Sequence, residues 1–103
     1  MFDQKKNASL SDLQAFVGEQ HSAKKKHRQK YFLKLIEEVG ELSEMIKEDK
    51  RPDPESGKVK AIKNTVEEEM ADVLYFLLAL ANTYDIDLQK TFIRKQRYNT
   101  KYK

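Results

Sequence analysis

The sequence predicts an all-α protein, built as a bundle of about four helices. Only three glycines and two prolines occur among 103 residues, so few positions interrupt a helix. Apolar residues recur three and four positions apart through most of the chain, whereas no segment shows the strict alternation of a half-buried strand. This length suits a single domain, which we expect to span residues 1–103.

The first helix is predicted to follow Ser9. Ser9 and Asp12 have the spacing of a capping box, in which each side chain accepts a hydrogen bond from the backbone of the other residue. The polar segment 21–30, HSAKKKHRQK, is either a loop or the first turns of the next helix. Between them, apolar residues recur at helical spacing up to a predicted end near Gly18: Leu10, Leu13, Phe16 and Val17.

The second helix is predicted from about Gln29 to Asp49. The segment that follows, RPDPESG at 51–57, contains both prolines and a glycine, and therefore ends the helix and turns the chain. The helix carries one apolar stripe with the helical period, formed by Phe32, Leu35, Ile36, Val39, Leu42 and Ile46.

The third helix is predicted over residues 66–84, with residues 59–63 as an alternative earlier start. Asn64 or Thr65 can cap it, with a glutamate three residues later to complete a capping box. The helix is apolar on nearly every side, and such a helix is normally buried on every side. In a bundle of this size that burial requires a partner chain, so we expect dimerisation to complete the bundle.

The fourth helix is predicted to begin at Leu88, with Asp87 as its N-cap, and to run into a basic tail. The net charge of +3 is unevenly distributed along the chain. Residues 65–84 contain four acidic residues and no lysine or arginine, whereas residues 85–103 contain six basic residues and two acidic ones. Acidic middle segments with basic ends could hold a metal ion beside a polyanionic ligand.

Composition excludes several classes of protein. The chain has no cysteine, which rules out disulfides and thiolate metal sites and fits a reducing cytoplasm. Its N-terminus, MFDQKKNASL, lacks the apolar stretch of a secretory signal. The longest apolar-rich stretch, ADVLYFLLALA, is about half as long as a membrane span. We therefore expect a cytoplasmic protein with no membrane partner.

Two pairs of carboxylates occur three residues apart, Glu38 with Glu41 and Glu69 with Asp72. On a helical wheel of the third helix, the main apolar stripe is centred on Val73. Glu69 lies about 40° and Asp72 about 100° from that centre. These two carboxylates thus face packing rather than water. In the second helix Glu38 lies at the edge of the apolar stripe, so that helix alone is equally compatible with an ordinary acidic outer face.

Two like charges a few ångströms apart repel by roughly 3–4 kcal/mol at an effective dielectric constant near 20. Protonation, a lysine or arginine from elsewhere, or a divalent cation could relieve this repulsion. Only the cation accommodates four clustered carboxylates, and an all-oxygen ligand set suits Mg²⁺ or Mn²⁺ better than zinc. Because Mg²⁺ commonly works on substrate phosphates, the pattern favours phosphate chemistry.

The motif EExxE, formed by Glu37, Glu38 and Glu41, is followed after a loop by ExxD, formed by Glu69 and Asp72. In this order the two motifs resemble the MazG-type, all-α nucleoside triphosphate pyrophosphohydrolases, with the closest match over residues 29–102. The resemblance implies a homodimer or homotetramer that uses Mg²⁺ to hydrolyse (d)NTPs to the monophosphate and pyrophosphate, with Mn²⁺ as a substitute. It also implies a set of metal ligands, namely Glu38, Glu41, Glu69 and Asp72.

The family also places triphosphate-binding residues after its last helix, in a pattern like K-F-x-x-R-F. The segment RYNTKY, residues 97–102, is similar, with arginine and lysine exchanged. An alternative K-x-x-x-N form of the pattern falls on Lys95 and Asn99. The implied substrate-binding residues are Lys95, Arg97, Asn99 and Lys101.

The implied mechanism is attack on the α-phosphorus by a metal-activated water, with pyrophosphate as the leaving group. Glu37 is assigned as the general base or as the group that orients this water, and Glu38 as a catalytic residue and metal ligand. Two other hypotheses stay open. In the first, the basic, aromatic segments KKKHRQKYF and RKQRYNTKYK bind nucleic acid, although we expect no nucleic-acid partner. In the second, the bundle is a non-catalytic oligomerising module.

Overall fold

A computed structural model describes residues 7–49, 51 and 64–102. The described residues form helices and contain no strand, so the prediction of an all-α fold with four helices is confirmed. A short 3₁₀ turn, Lys25–His27, precedes the second helix. The predicted turn at 52–57 and the alternative helix start at 59–63 lie outside the described residues. The four α-helices are α1 (Leu10–Gln20), α2 (Arg28–Glu48), α3 (Val66–Thr83) and α4 (Leu88–Tyr102).

The chain divides into two compact units. The first unit contains Met1–Arg28 and Leu78–Lys103, and so includes α1, the end of α3 and all of α4. The second unit, Gln29–Leu77, contains nearly all of α2 and the greater part of α3. The expectation that residues 1–103 form one domain stays a prediction.

In the first unit, α1 begins with the predicted capping box. The Asp12 backbone N–H donates to Ser9 Oγ at 3.1 Å, and the Ser9 N–H donates to Asp12 Oδ2 at 3.0 Å. The helix continues two residues beyond the predicted end at Gly18. Gly18 is therefore a helical residue rather than a terminator, and a Cβ at this position would lie 3.4 Å from Asn82 Nδ2. At this distance a methyl group would make an ordinary van der Waals contact with the end of α3.

Gln14 connects α1 to the turn between α3 and α4. It is 7% exposed, and its Nε2 donates to Asn82 Oδ1 at 2.9 Å and to the Ile86 carbonyl at 2.6 Å. Its Oε1 accepts from the Leu88 N–H at 3.1 Å. A buried polar side chain is tolerated here because both ends of its amide are paired. Around this network the unit buries apolar side chains: Val17, Leu78, Ala79 and Ala81.

In the second unit, Thr65 caps α3, which resolves the two alternatives left by the sequence. The Glu68 N–H donates to Thr65 Oγ1 at 3.2 Å, and Glu68 Oε1 accepts from the Asn64 N–H at 2.8 Å. The cap places three glutamates in the first turn of α3. Carboxylates are favoured there by the positive end of the helix dipole.

The apolar stripe of α2 is largely exposed in the single chain. Ile36 is 52% exposed and Ile46 is 56% exposed, whereas the buried residues of this helix are Tyr31 and Glu38. On α3, Met70 is 53% exposed. The expected dimer would cover such residues, and it stays a prediction. None of the described helices is long and apolar enough to cross a membrane.

Candidate metal centre

Three carboxylates from two helices converge in the second unit. Glu38 on α2 and Glu69 and Asp72 on α3 each offer one oxygen, and these three oxygens lie within 4.8 Å of one another. Glu38 is 6% exposed and Glu69 is 7% exposed, while Asp72 is half-buried. Glu69 and Asp72 project together because residues three apart on a helix lie on adjacent rows.

A second group of carboxylates shares Glu38. Glu37, Glu38 and Glu41 on α2 also offer oxygens that all lie within 4.8 Å of one another. Glu37 and Glu41 are exposed. The charge of Glu41 raises the pKa of Glu38, Glu69 and Asp72, which indicates that it lies near all three. The five carboxylates of the two motifs thus form two overlapping groups that meet at Glu38.

Two buried oxygens of these groups lack a hydrogen-bond partner. They are Oε2 of Glu38 and Oε2 of Glu69. Buried polar atoms are nearly always paired, because an unpaired one loses its hydration without compensation. Oxygen atoms of this kind suit a hard divalent cation such as Mg²⁺ or Mn²⁺. The donor set therefore fits the ion that the sequence implies.

The pKa values show how the cluster behaves without a cation. Burial, followed by a hydrogen bond with Glu38 and the charges of its neighbours, raises the pKa of Glu69 from 4.5 to about 7. Burial also raises the pKa of Glu38, although its hydrogen bond with Glu69 partly opposes this shift. The pKa of Asp72 is raised by burial and by the charges of Glu68 and Glu41. A proton held by Glu69 therefore relieves part of the repulsion.

Lys34 is a neighbour of the site that sequence reasoning missed. Its Nζ lies 3.2 Å from Glu37 Oε1 and 3.8 Å from Glu38 Oε1. The hydrogen bond to Glu37 and the charge of that residue raise the pKa of Lys34. The signal was present in the sequence, since Lys34 precedes Glu37 by three residues and Glu38 by four, the spacings of helical ion pairs.

The four predicted substrate-binding residues all lie on α4, in the first unit. Lys95, Arg97 and Lys101 are exposed, and Asn99 is half-buried. No acidic residue occurs on this helix. The helix therefore presents a strongly basic surface, although it belongs to a different compact unit from the carboxylates.

The amino-acid sequence matches a known protein family and is similar to known proteins. Residues 22–101 match the family described as the MazG nucleotide pyrophosphohydrolase domain. The dCTP pyrophosphatase 1 of Rattus norvegicus and that of Mus musculus are each 39% identical to the chain over 69 residues. These alignments cover 65% of this chain and 40% of each relative, so the chain spans less than half the length of the curated relatives it matches.

Crystal structures of iMazG from Vibrio DAT 722 have the same fold. The Ctag-iMazG structure aligns with a TM-score of 0.78 and 40% identity, over 90% of this chain and 99% of that one. The Ntag-iMazG structure aligns with a TM-score of 0.78 and 41% identity, over 92% and 98% of the two chains. Because the family match covers most of the chain and both carboxylate motifs, the chain belongs to the MazG nucleotide pyrophosphohydrolase family.

Proposed function

We propose that the chain is a Mg²⁺-dependent nucleoside triphosphate pyrophosphohydrolase that converts a (d)NTP to the (d)NMP and pyrophosphate. The observation that carries this proposal is the convergence of Glu38, Glu69 and Asp72 with two buried, unpaired carboxylate oxygens. Membership of the MazG family supports the class of reaction. A nucleotide substrate and the absence of cysteine both suit the cytoplasm.

The proposed ligands of the ion are Glu38, Glu41, Glu69 and Asp72, with Mn²⁺ as a substitute for Mg²⁺. Bound there, the ion would offset charge on the phosphates and activate a water for attack on the α-phosphorus. Burial of Glu38 and Glu69 supports this assignment, because carboxylates in a sheltered site interact more strongly with a cation than carboxylates in water do.

Two proposed roles belong to residues outside the ligand set. Glu37 is exposed and shares the second carboxylate group with Glu38, which suits a general base or a group that orients the attacking water. The basic side chains of α4 would bind the triphosphate oxygens, as the family pattern implies. Lys95, Arg97 and Lys101 are exposed and available for such contacts, and Asn99 lies between them in sequence.

The substrate and the site can be tested together. We expect pyrophosphate release with Mg²⁺ from at least one member of a panel of NTPs and dNTPs. Glu69→Gln should lower the rate by at least about a hundredfold, because it removes a charged ligand from the buried group. Pyrophosphate release is measured with one nucleotide at a time, at equal concentrations of folded wild-type protein and variant.

Glu44→Gln is the matched control. It removes one carboxylate from an exposed position on α2 and should leave the rate within about twofold of the wild-type value. A second measurement separates loss of the site from loss of folding, because Mg²⁺ should raise the melting temperature of the wild-type protein and of Glu44→Gln but not of Glu69→Gln. Equal rates for the wild-type protein and Glu69→Gln would refute the proposed function.

A further inference from the structure

Lys34 lies against the acidic cluster from the side of α2. Its Nζ is 3.2 Å from Glu37 Oε1 and 3.8 Å from Glu38 Oε1. On the α3 side the same Nζ is 5.9 Å from the centroid of the Phe76 ring. All four residues belong to the second unit. The ammonium group is thus held next to the carboxylates by contacts to two helices.

The position of Lys34 does not suit a residue that only neutralises the cluster. Its shorter contact is to Glu37, whose side chain is 56% exposed, and not to the buried oxygens. Oε2 of Glu38 and Oε2 of Glu69 have no hydrogen-bond partner despite the nearby ammonium. The Lys34 side chain is itself 42% exposed, and an ion pair between two such exposed groups contributes little to stability.

A triphosphate at this site needs further positive charge. It would bring several negative charges to a centre that already holds four carboxylates, more than one divalent ion offsets. Among the described residues of the second unit, Arg51 is bound to Glu67 at 2.8 Å, and Lys34 is the basic residue with an ion pair to the cluster. A lysine ammonium has three N–H donors on a flexible stem and binds phosphate as a point charge.

Building on the proposed function, we propose that Lys34 is a triphosphate-binding residue. Its ammonium exchanges part of its contact with Glu37 for phosphate oxygens of the nucleoside triphosphate at the metal centre. This contact supplies a cation from α2, within the unit that holds the carboxylates. Lys34 then stabilises the bound triphosphate without being a ligand of the ion.

Isothermal titration with inorganic tripolyphosphate in the presence of Mg²⁺ tests this inference, because the probe has no base or sugar. Lys34→Met, which keeps an unbranched side chain only one atom shorter and removes its charge, should weaken tripolyphosphate binding by about tenfold. Lys34→Arg should restore most of the affinity. Lys47→Met is the matched control near the other end of α2, and it should bind as the wild-type protein does. Orthophosphate should show a smaller loss, because a single phosphate makes fewer contacts.

Titration with Mn²⁺ alone separates a lost phosphate contact from a damaged metal centre. Lys34→Met should bind Mn²⁺ at least as tightly as the wild-type protein, because removing a cation reduces repulsion of the ion. Unchanged tripolyphosphate affinity in Lys34→Met, or a parallel loss of Mn²⁺ affinity, overturns the inference and leaves the proposed function standing. A wild-type protein that binds neither Mn²⁺ nor tripolyphosphate overturns both.

Discussion

The carboxyl groups of Glu38 and Glu69 show how burial changes the chemistry of an ordinary side chain. Each is less than one-tenth exposed, and each has one oxygen without a hydrogen-bond partner. Holding both charges without a cation would cost free energy through desolvation and mutual repulsion. Burial is the main cause of the raised pKa of both groups, and the charges of Glu41 and Asp72 add to it. A metal ion would offset the same cost by attraction rather than by protonation.

At this residue scale we expect the metal-free protein to lose stability as pH rises from about 4.5 to about 7. The pKa of Glu69 is 4.5 when unperturbed and about 7 in the folded chain, so between these values the folded state holds a proton that the unfolded state has released. The resulting stabilisation is fully present below the lower pKa and is lost as pH rises through the upper one. Thermal melting in EDTA across this window measures the effect.

Comparison with Glu69→Gln isolates this contribution from other titrating groups. The pKa of Glu67, for example, is lowered by its hydrogen bonds with Arg51, and its effect on stability has the opposite sign. The melting temperature of the wild-type protein minus that of the variant should fall as pH rises, because the variant keeps a neutral side chain at every pH. A signed difference that stays constant or rises across the window would contradict the assigned pKa.

At the scale of the elements, helix ends determine where the polar side chains lie. The Thr65 cap starts α3 so that Glu69 falls in its first turn and Asp72 one turn later. The Asp87 cap, which accepts from the Lys90 N–H at 3.0 Å, starts α4. Between these two helices, the turn is held to α1 through Gln14. This side chain connects three elements of the first unit.

Gln14→Leu should lower the free energy of unfolding by about 2–3 kcal/mol. The leucine fills similar space but leaves the Ile86 carbonyl and the Leu88 N–H without their partner, and it removes the bond to Asn82. Urea denaturation monitored by circular dichroism gives the value. Gln20→Leu, at the exposed last residue of α1, should change stability by less than about 0.5 kcal/mol. Equal losses in the two variants would show that the Gln14 network contributes nothing.

At the largest scale, the second unit exposes a group of large apolar side chains. Single exposed apolar residues are ordinary on protein surfaces, whereas a group of large ones marks an interaction site. On α2 and α3 this group comprises Phe32, Leu33, Ile36, Val39, Ile46, Met70, Leu74 and Leu77. A second copy of the chain is the partner we expect, as a homodimer or as half of a homotetramer.

Ile36→Lys should therefore shift the oligomer toward monomers. Ile36 is 52% exposed in the single chain, and a lysine in an apolar interface would bring a charge that must be desolvated. We expect the dissociation constant to rise by at least about tenfold, measured by sedimentation velocity over a concentration series. Gln20→Lys, at the exposed last residue of α1 and outside this apolar group, should leave the assembly unchanged. A wild-type protein that remains monomeric at high concentration would refute the predicted oligomer.

Features that depend on near neighbours along the chain could be predicted from the sequence. The sequence predicted the Ser9–Asp12 capping box and the Asp87 cap of α4, and it narrowed the cap of α3 to Asn64 or Thr65 beside an alternative earlier start. Such predictions are possible because capping bonds span only three or four positions. The helical spacing of the apolar residues predicted four helices. The order of the EExxE and ExxD motifs was enough to indicate the MazG family, which the family match confirmed.

The folded chain shows which residues of different helices meet. It placed Glu38 of α2 with Glu69 and Asp72 of α3 in one sheltered group, although these residues are far apart in the sequence. It also left much of the α2 apolar stripe exposed in the single chain. Helical periodicity gives the order of residues around one helix. It does not give the rotation of that helix about its own axis relative to the helix beside it. Burial, pKa values and the ligand geometry of a metal site depend on that rotation, so they could be read only from the folded chain.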